Sequence, residues 1–369
     1  MSVLHATYLL SSLALACVGI LWHYRLKLES KSKTRKALSR NVVPQKNLDE
    51  CLLFLDDSII DIERQVYCVA FKSSLAGLCN VDVINHVAET RDIILLDRQY
   101  LPHQPLILPR LMSAMRRDDS SSAELVDIIL RDAGLTGKIL KMANSSFYRI
   151  AREPVRSVEY AVVLLGLDGL KSLVAAAVME PVLKFSDDQF RDFSNTVWEQ
   201  ALDSAFAAQN YAQKTDPGVC FSANLMALIS SVAQVVLFRF THSVYEKFYQ
   251  CEPNAETIVE VLETQSDYVV RQIMKSWELG EELMDSLDDY FRQRPLDQCN
   301  TLSKALYYGC LVGRLSVLLK RNRMTVLEAR RILSNKGLSR EMVHCILRPS
   351  LRGIDQEDTL RSRLQVPKR

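Results

Sequence analysis

An all-α architecture is expected, on three observations. Gly and Pro number only 12 and 11 in 369 residues, too few for many strands joined by tight turns. Apolar residues make up 48% and charged residues 24%, which favours a packed core over bulk disorder. The apolar residues also recur at helical spacing, segment after segment, with capping residues between the segments. A chain of this length holds one large domain or two modest ones.

The first element is apolar. Residues 3–22 (VLHATYLLSSLALACVGILW) carry no formal charge. Twenty helical residues span about 30 Å, the hydrocarbon thickness of a bilayer. Trp22 and Tyr24 stand where interfacial aromatics belong. Residues 25–40 then carry seven Lys/Arg against one Glu, a local +6. Basic residues at the end of a span favour the cytoplasmic side. A cleaved signal peptide would place its basic region before the apolar run. The expectation is therefore a single-pass anchor over 1–24, a basic juxtamembrane linker over 25–47, and a cytoplasmic body. The basic run acts first as a topology signal and second as a contact for anionic headgroups. Since the whole chain is +2, everything outside 25–40 sums to −4, a poor match for a phosphate backbone. No nucleic-acid partner is expected.

Pro44 closes the linker. Leu48, Leu52, Leu55 and Ile59, continued by Ile62, Val66 and Val69, form a helical stripe. Residues 81–96 give a second helix, with Gly77 between the two, so 48–98 reads as a helical hairpin. Residues 99–109 (QYLPHQPLILP) contain three prolines. Residues before Pro avoid the α region, so this is an extended entry to the main domain. His103 lies in it as an exposed polar side chain.

Helices follow closely from there. The first runs over 108–116. Ser121 and Glu124 form a capping box for the second, with Leu125, Ile128 and Ile129 facing inward, and Gly134 is expected to end it. Leu135, Ile139, Met142 and Ala143 give a third buried face. Asn144 ends that helix, on the expectation that it takes the left-handed conformation common at helix C-termini. Ser157 caps the next helix, whose stripe is Val158, Ala161, Val162 and Leu165. Gly166 stops it, and Asp168 is expected to cap a further helix to Val182.

Three phrases within this stretch resemble the signature of the HDOD family: LILPRLM (106–112), RDAGLTGKILKMANSSFY (131–148) and REPVRSVEYAVVLLGLDGLKSLV (152–174). Those are all-helical bacterial signalling domains, distantly related to HD-type phosphohydrolases. The resemblance covers about 101–295 and is strongest over 132–174. In the family the acidic residue is usually followed by Pro, whereas here Asp132 precedes Ala133. Asp132, Asn144, Ser145 and Gly166 occupy signature positions and read most simply as structural caps and turns. The resemblance implies a multi-helix HDOD/HD-like domain over 99–297; the residues around it give the N-terminal transmembrane helix, C-terminal helices over 298–348 and a polar, disordered tail over 349–369.

The second half bears on catalysis. HD-type enzymes hold a divalent metal with His and Asp, including an adjacent His-Asp pair. No His-Asp dipeptide occurs in this sequence. Where the family often has His two residues after the Trp of its Trp-containing helix, this chain has Gln200. The phrase resembling LLHDIG reads Leu228-Ile229-Ser230-Ser231-Val232-Ala233, so both metal-binding side chains are serines. Near Ser266 a His is again replaced. A serine hydroxyl is a poor transition-metal ligand. Residues 225–238 are apolar but too short for a second span, and read as a core helix.

The remaining elements are an acidic helix over 281–292, a stop at Pro295, and an amphipathic helix over 301–319. A capping box at Thr325 and Glu328 opens the next helix. Gly337 and Ser339 turn into a short helix to Leu347. Arg330, Arg331, Lys336 and Arg340 make these last helices basic. They resemble a helix-turn-helix only weakly, and a solvated face is the simpler reading.

Six His are scattered, and nine Cys include no CxxC pair, so the thiols read as reduced core residues. HExxH, GxSxG, Walker and GxGxxG motifs are all missing from the sequence. No catalytic, cofactor or metal residue is expected. The expected function is a non-catalytic signalling or scaffold protein on the inner face of a bacterial cytoplasmic membrane, with a cytoplasmic signalling protein as partner. A further alternative is a degenerate HD-type pocket that senses a nucleotide or other small ligand without chemistry. A metal-dependent phosphohydrolase is disfavoured by the missing His-Asp pair.

Overall fold

Helix follows helix through the described residues, and no strand occurs among them. The computed structural model describes residues 80–92, 104–109, 122–145, 153–184, 191–249, 253–291 and 295–351, with Ile62, 65–67, Tyr100, Ser113 and Tyr148. All of these belong to the unit Leu48–Arg369. The predicted span 3–22, the linker, most of the predicted hairpin, Ser121 and residues 352–369 lie outside the described residues. The helices are α1 (Val81–Thr90), α2 (Ser122–Leu130), α3 (Ala133–Ala143), α4 (Val158–Leu183), α5 (Arg191–Thr215), α6 (Cys220–Val244), α7 (Ala255–Ser276), α8 (Glu281–Phe291), α9 (Thr301–Lys320), α10 (Val326–Asn335) and α11 (Arg340–Leu347).

The core is built on α5, which packs against both α6 and α9. Small residues make this possible. A Cβ on Gly313 would lie 2.0 Å from Ser204 Oγ and 2.6 Å from the Gln200 carbonyl oxygen. One on Gly309 would lie 2.6 Å from the Ser204 carbonyl oxygen and 2.7 Å from Ala208 Cβ. The two backbones therefore touch where α9 presents Gly and α5 presents Ser and Ala. Helix α6 is buried on almost every side, from Ala223 to Phe240, as residues 225–238 predict. Its last turn widens into a π-turn over Tyr245–Tyr249.

The outer elements are tied down by side chains. Asn80 caps α1, and its own N–H donates to Thr257 Oγ1 of α7 (2.9 Å). Two residues of the entry segment reach α6 and the end of α7. Tyr100 stacks edge-on against Phe240 and donates its hydroxyl to Ser243 Oγ (2.8 Å). Gln104 donates to the Trp277 carbonyl at the end of α7 (2.7 Å).

Among the described residues three helical runs are long and apolar enough to cross a bilayer: Val158–Leu183, Pro217–Tyr249 and Thr301–Lys320. The last two bury 78% and 89% of their most apolar windows inside the fold. The first is not one rod, because Gly166 breaks it at φ 72°.

Four expectations are corrected. Gly134 does not end α2; that helix stops at Leu130, Asp132 caps α3, and Gly134 is its second residue. Asn144 is right-handed (φ −90°, ψ −3°) rather than left-handed. Gly166 is the one non-helical residue inside α4, so Asp168 falls within the next turn and not at its cap. The tail begins ordered, since Pro349–Leu351 form a 3₁₀ turn with Ser350 buried.

Candidate functional site

The signature residues act through hydrogen bonds to backbone. Asp132 accepts from the Leu135 N–H (2.9 Å), a helix cap. Asn144 works as a clamp. Its Nδ2 donates to the carbonyls of Leu140 and Val155, both at 2.8 Å, and its Oδ1 accepts from the Val155 N–H at 2.7 Å. An amide donates and accepts side by side in a single plane, so it can hold both backbone groups of a residue eleven positions on. Ser145 donates to the Met142 carbonyl (2.6 Å) and closes the end of α3. Ser157 then caps α4 through the Tyr160 N–H (3.1 Å). Gly166 makes the bend at a positive φ that residues with a Cβ rarely adopt.

The positions where HD-type relatives would place metal ligands are brought only partly together. Gln200, buried on α5, donates through Nε2 to Oε1 of Gln234 on α6 (3.3 Å), which is also buried. Ser231 is buried and donates to the Ala227 carbonyl of its own helix (3.2 Å). Ser230 is half-buried and donates to the Met226 carbonyl (3.0 Å). Ser266 is half-buried on α7 and makes no hydrogen bond to the other three among the described residues. The hydroxyls are spent on backbone carbonyls and the Gln200 amide on another amide. Among the described residues no group of three or more His, Cys, Asp or Glu could hold a metal ion.

A buried charge lies one turn beyond Gln200. The Asp203 side chain is fully buried, and its Oδ2 accepts from Ser316 Oγ (2.5 Å) and Lys320 Nζ (2.6 Å) of α9. Its Oδ1 has no hydrogen-bond partner among the described residues. Tyr148, from the loop after the Asn144 clamp, is raised well above the usual phenol range by burial and then by the Asp203 charge. Tyr148 also packs edge-on against Phe206 of α5. Helix α5 thus meets the signature loop through Phe206 and α9 through Asp203. A second polar cluster joins α4, α5 and α6: Gln209 Oε1 accepts from Ser172 and Asn224, while its Nε2 donates to the Asp168 carbonyl (3.3 Å). Cys220 sits beside it, its thiol pushed up to about 11 by burial and then by Asp168 and Asp216. Cys220, Cys299, Cys310 and Cys345 are free, and only Cys345 is not buried.

Neither cluster was found from sequence. A lone Asp inside an Ala-rich run and the Gly309-x-x-x-Gly313 spacing were the available signals.

The profile of the HDOD domain matches residues 101–290, just over half of the chain. The chain belongs to the HDOD family. The match contains the clamp and the Gln200–Gln234 pair and stops short of α9. Among solved structures the chain is similar to an HDOD domain protein of unknown function from Geobacter sulfurreducens, at 22% identity over 75% of this chain and 94% of that one, with a TM-score of 0.48. It is also similar to a protein from Marinobacter aquaeolei VT8 described as acting in signal transduction, at 19% identity over 86% and 68%, TM-score 0.46. No curated protein matches the chain.

Proposed function

We propose that this HDOD protein is a non-catalytic signalling scaffold, tethered to the inner face of a bacterial cytoplasmic membrane through residues 3–22, that binds a cytoplasmic signalling protein. The observation that carries this reading is the Gln200–Gln234 amide pair. Gln200 stands where the resemblance leads one to expect an imidazole, and the residue it bonds, Gln234, lies one turn beyond Ser230 and Ser231, where the His-Asp pair is expected. An amide bonded to an amide is neutral and brings neither imidazole nor carboxylate to a cation. The serines at 230 and 231 support the same reading, because their hydroxyls return to their own helix.

The test is turnover. The full chain, supplied with Mn, Fe or Zn and offered phosphomonoesters and cyclic dinucleotides, should hydrolyse none of them. Metal-dependent turnover that saturates with substrate would sink the scaffold reading. The tether is tested by removing residues 1–24, after which the protein should leave the membrane fraction.

A second reading is favoured by the unpartnered Asp203 Oδ1 and the polar cluster at Gln209. Buried polar atoms of this kind also line ligand pockets. A nucleotide that binds the native state raises the unfolding midpoint, and a concentration-dependent rise for one member of a nucleotide panel would establish the sensor instead.

A further inference from the structure

The basic residues of the C-terminal helices have no part in the scaffold reading. Between Arg321 and Arg348 seven Lys/Arg stand against two Glu, a net +5. With the +6 at 25–40, the rest of the chain carries −9 against a total of +2. Positive charge is therefore gathered in two places, and of the second group Arg321 is paired with Glu199 of α5 (3.6 Å).

The second place is a folded module. Helix α10 opens at Thr325, whose capping box holds the Glu328 carboxylate against the Thr325 N–H (2.7 Å). Ala329, Ile332 and Leu333 face the core, and Leu327, Arg330, Arg331 and Ser334 share the exposed side. That is the i, i+3, i+4, i+7 spacing of one helix face. Leu327 is 77% exposed, a large apolar side chain within a turn of two guanidinium groups. Arg323 in the preceding turn and Arg340 at the start of α11 are exposed as well.

We propose that the exposed face of α10 lies against the anionic headgroup surface of the bilayer, with Arg330 and Arg331 on lipid phosphates and Leu327 at the headgroup–acyl boundary. This rests on the reading that residues 3–22 anchor the chain. A basic helix face with an embedded apolar residue gains from such a surface in two ways. Each cation gains electrostatically, and the Leu leaves water. Duplex phosphates would reward the cations but leave Leu327 in water. Tethering raises the local lipid concentration, so a contact too weak for a freely diffusing protein suffices.

The test uses the full chain in lipid nanodiscs, neutral phosphatidylcholine against discs enriched in phosphatidylglycerol, with hydrogen exchange followed across 326–348. Exchange should slow on anionic discs only. The variant Arg330→Glu/Arg331→Glu, at exposed positions, should weaken the contact roughly 30-fold, taking about 1 kcal/mol per basic residue near an anionic surface, and should melt as the parent does. Leu327→Ser should weaken it in part. Equal exchange on both discs would overturn the proposal, as would slowing by added duplex DNA with no effect of anionic lipid. A chain that stays out of the discs altogether sinks the anchor, and this inference with it. A chain that inserts but shows no lipid-dependent protection sinks this inference alone.

Discussion

Asn144→Ala is the sharpest perturbation of the fold. The change removes three hydrogen bonds: two donated by Nδ2, to the Leu140 and Val155 carbonyls, and one accepted by Oδ1 from the Val155 N–H. The Leu140 carbonyl keeps the Asn144 backbone N–H at 3.2 Å, so little is lost there. Val155 is the costly end. It is 8% exposed, and its N–H and C=O would both lose their side-chain partner. A buried pair of unpaired backbone groups costs about 2–3 kcal/mol. For a domain of this size that lowers the unfolding midpoint by about 5 °C. The assay is thermal unfolding followed by circular dichroism, parent and variant in the same detergent. Asn144→Asp sharpens it. The carboxylate keeps the acceptor for the Val155 N–H but faces two carbonyls, so its folded pKa is raised. The variant should lose at least as much stability at neutral pH and recover part of it on acidification, when the protonated carboxyl can donate. An Asn144→Ala protein that melts with the parent would refute the clamp.

Three further outcomes follow from the packing and the buried charges. Gly313→Ala should cost about 1–3 kcal/mol by overpacking against Ser204, while Gly137→Ala, with nothing within 4 Å of the new Cβ, should stabilise by about 0.5–1 kcal/mol; urea denaturation separates the two. Lys320→Met strands the buried Asp203 carboxylate. It should destabilise more than Asp203→Asn with Lys320→Met together, a non-additivity that a double-mutant cycle measures. Burial lowers the His86 pKa below its ordinary value, against a smaller opposing effect of Glu89. Its folded pKa is thus below its unfolded one, so its contribution is fully present above about pH 6.5 and is lost as pH falls below that. His86→Gln should flatten that part of a stability–pH curve.

The helices were legible because their apolar stripes and caps are local. Ser157, the Thr325–Glu328 box and the stop at Gly166 stand where spacing predicts. The errors fall where one residue serves two elements. Asp132 caps α3 so close to the end of α2 that Gly134 looked like a terminator and is instead interior. Asn144 does end its helix, but through a partner eleven residues away that no local rule names. The Asp203–Lys320 pair spans 117 residues and joins α9, beyond the matched region, to the helix bearing Gln200. Close backbone approach at Gly309 and Gly313 decides that pairing, and it depends on which helix faces which.

The scaffold reading is tested most directly by elemental analysis of the full chain purified without chelator from metal-replete cells. The account predicts metal far below one atom per chain, unchanged in Gln200→Ala. One Mn, Fe or Zn per chain, lost on Gln200→Ala, would contradict it.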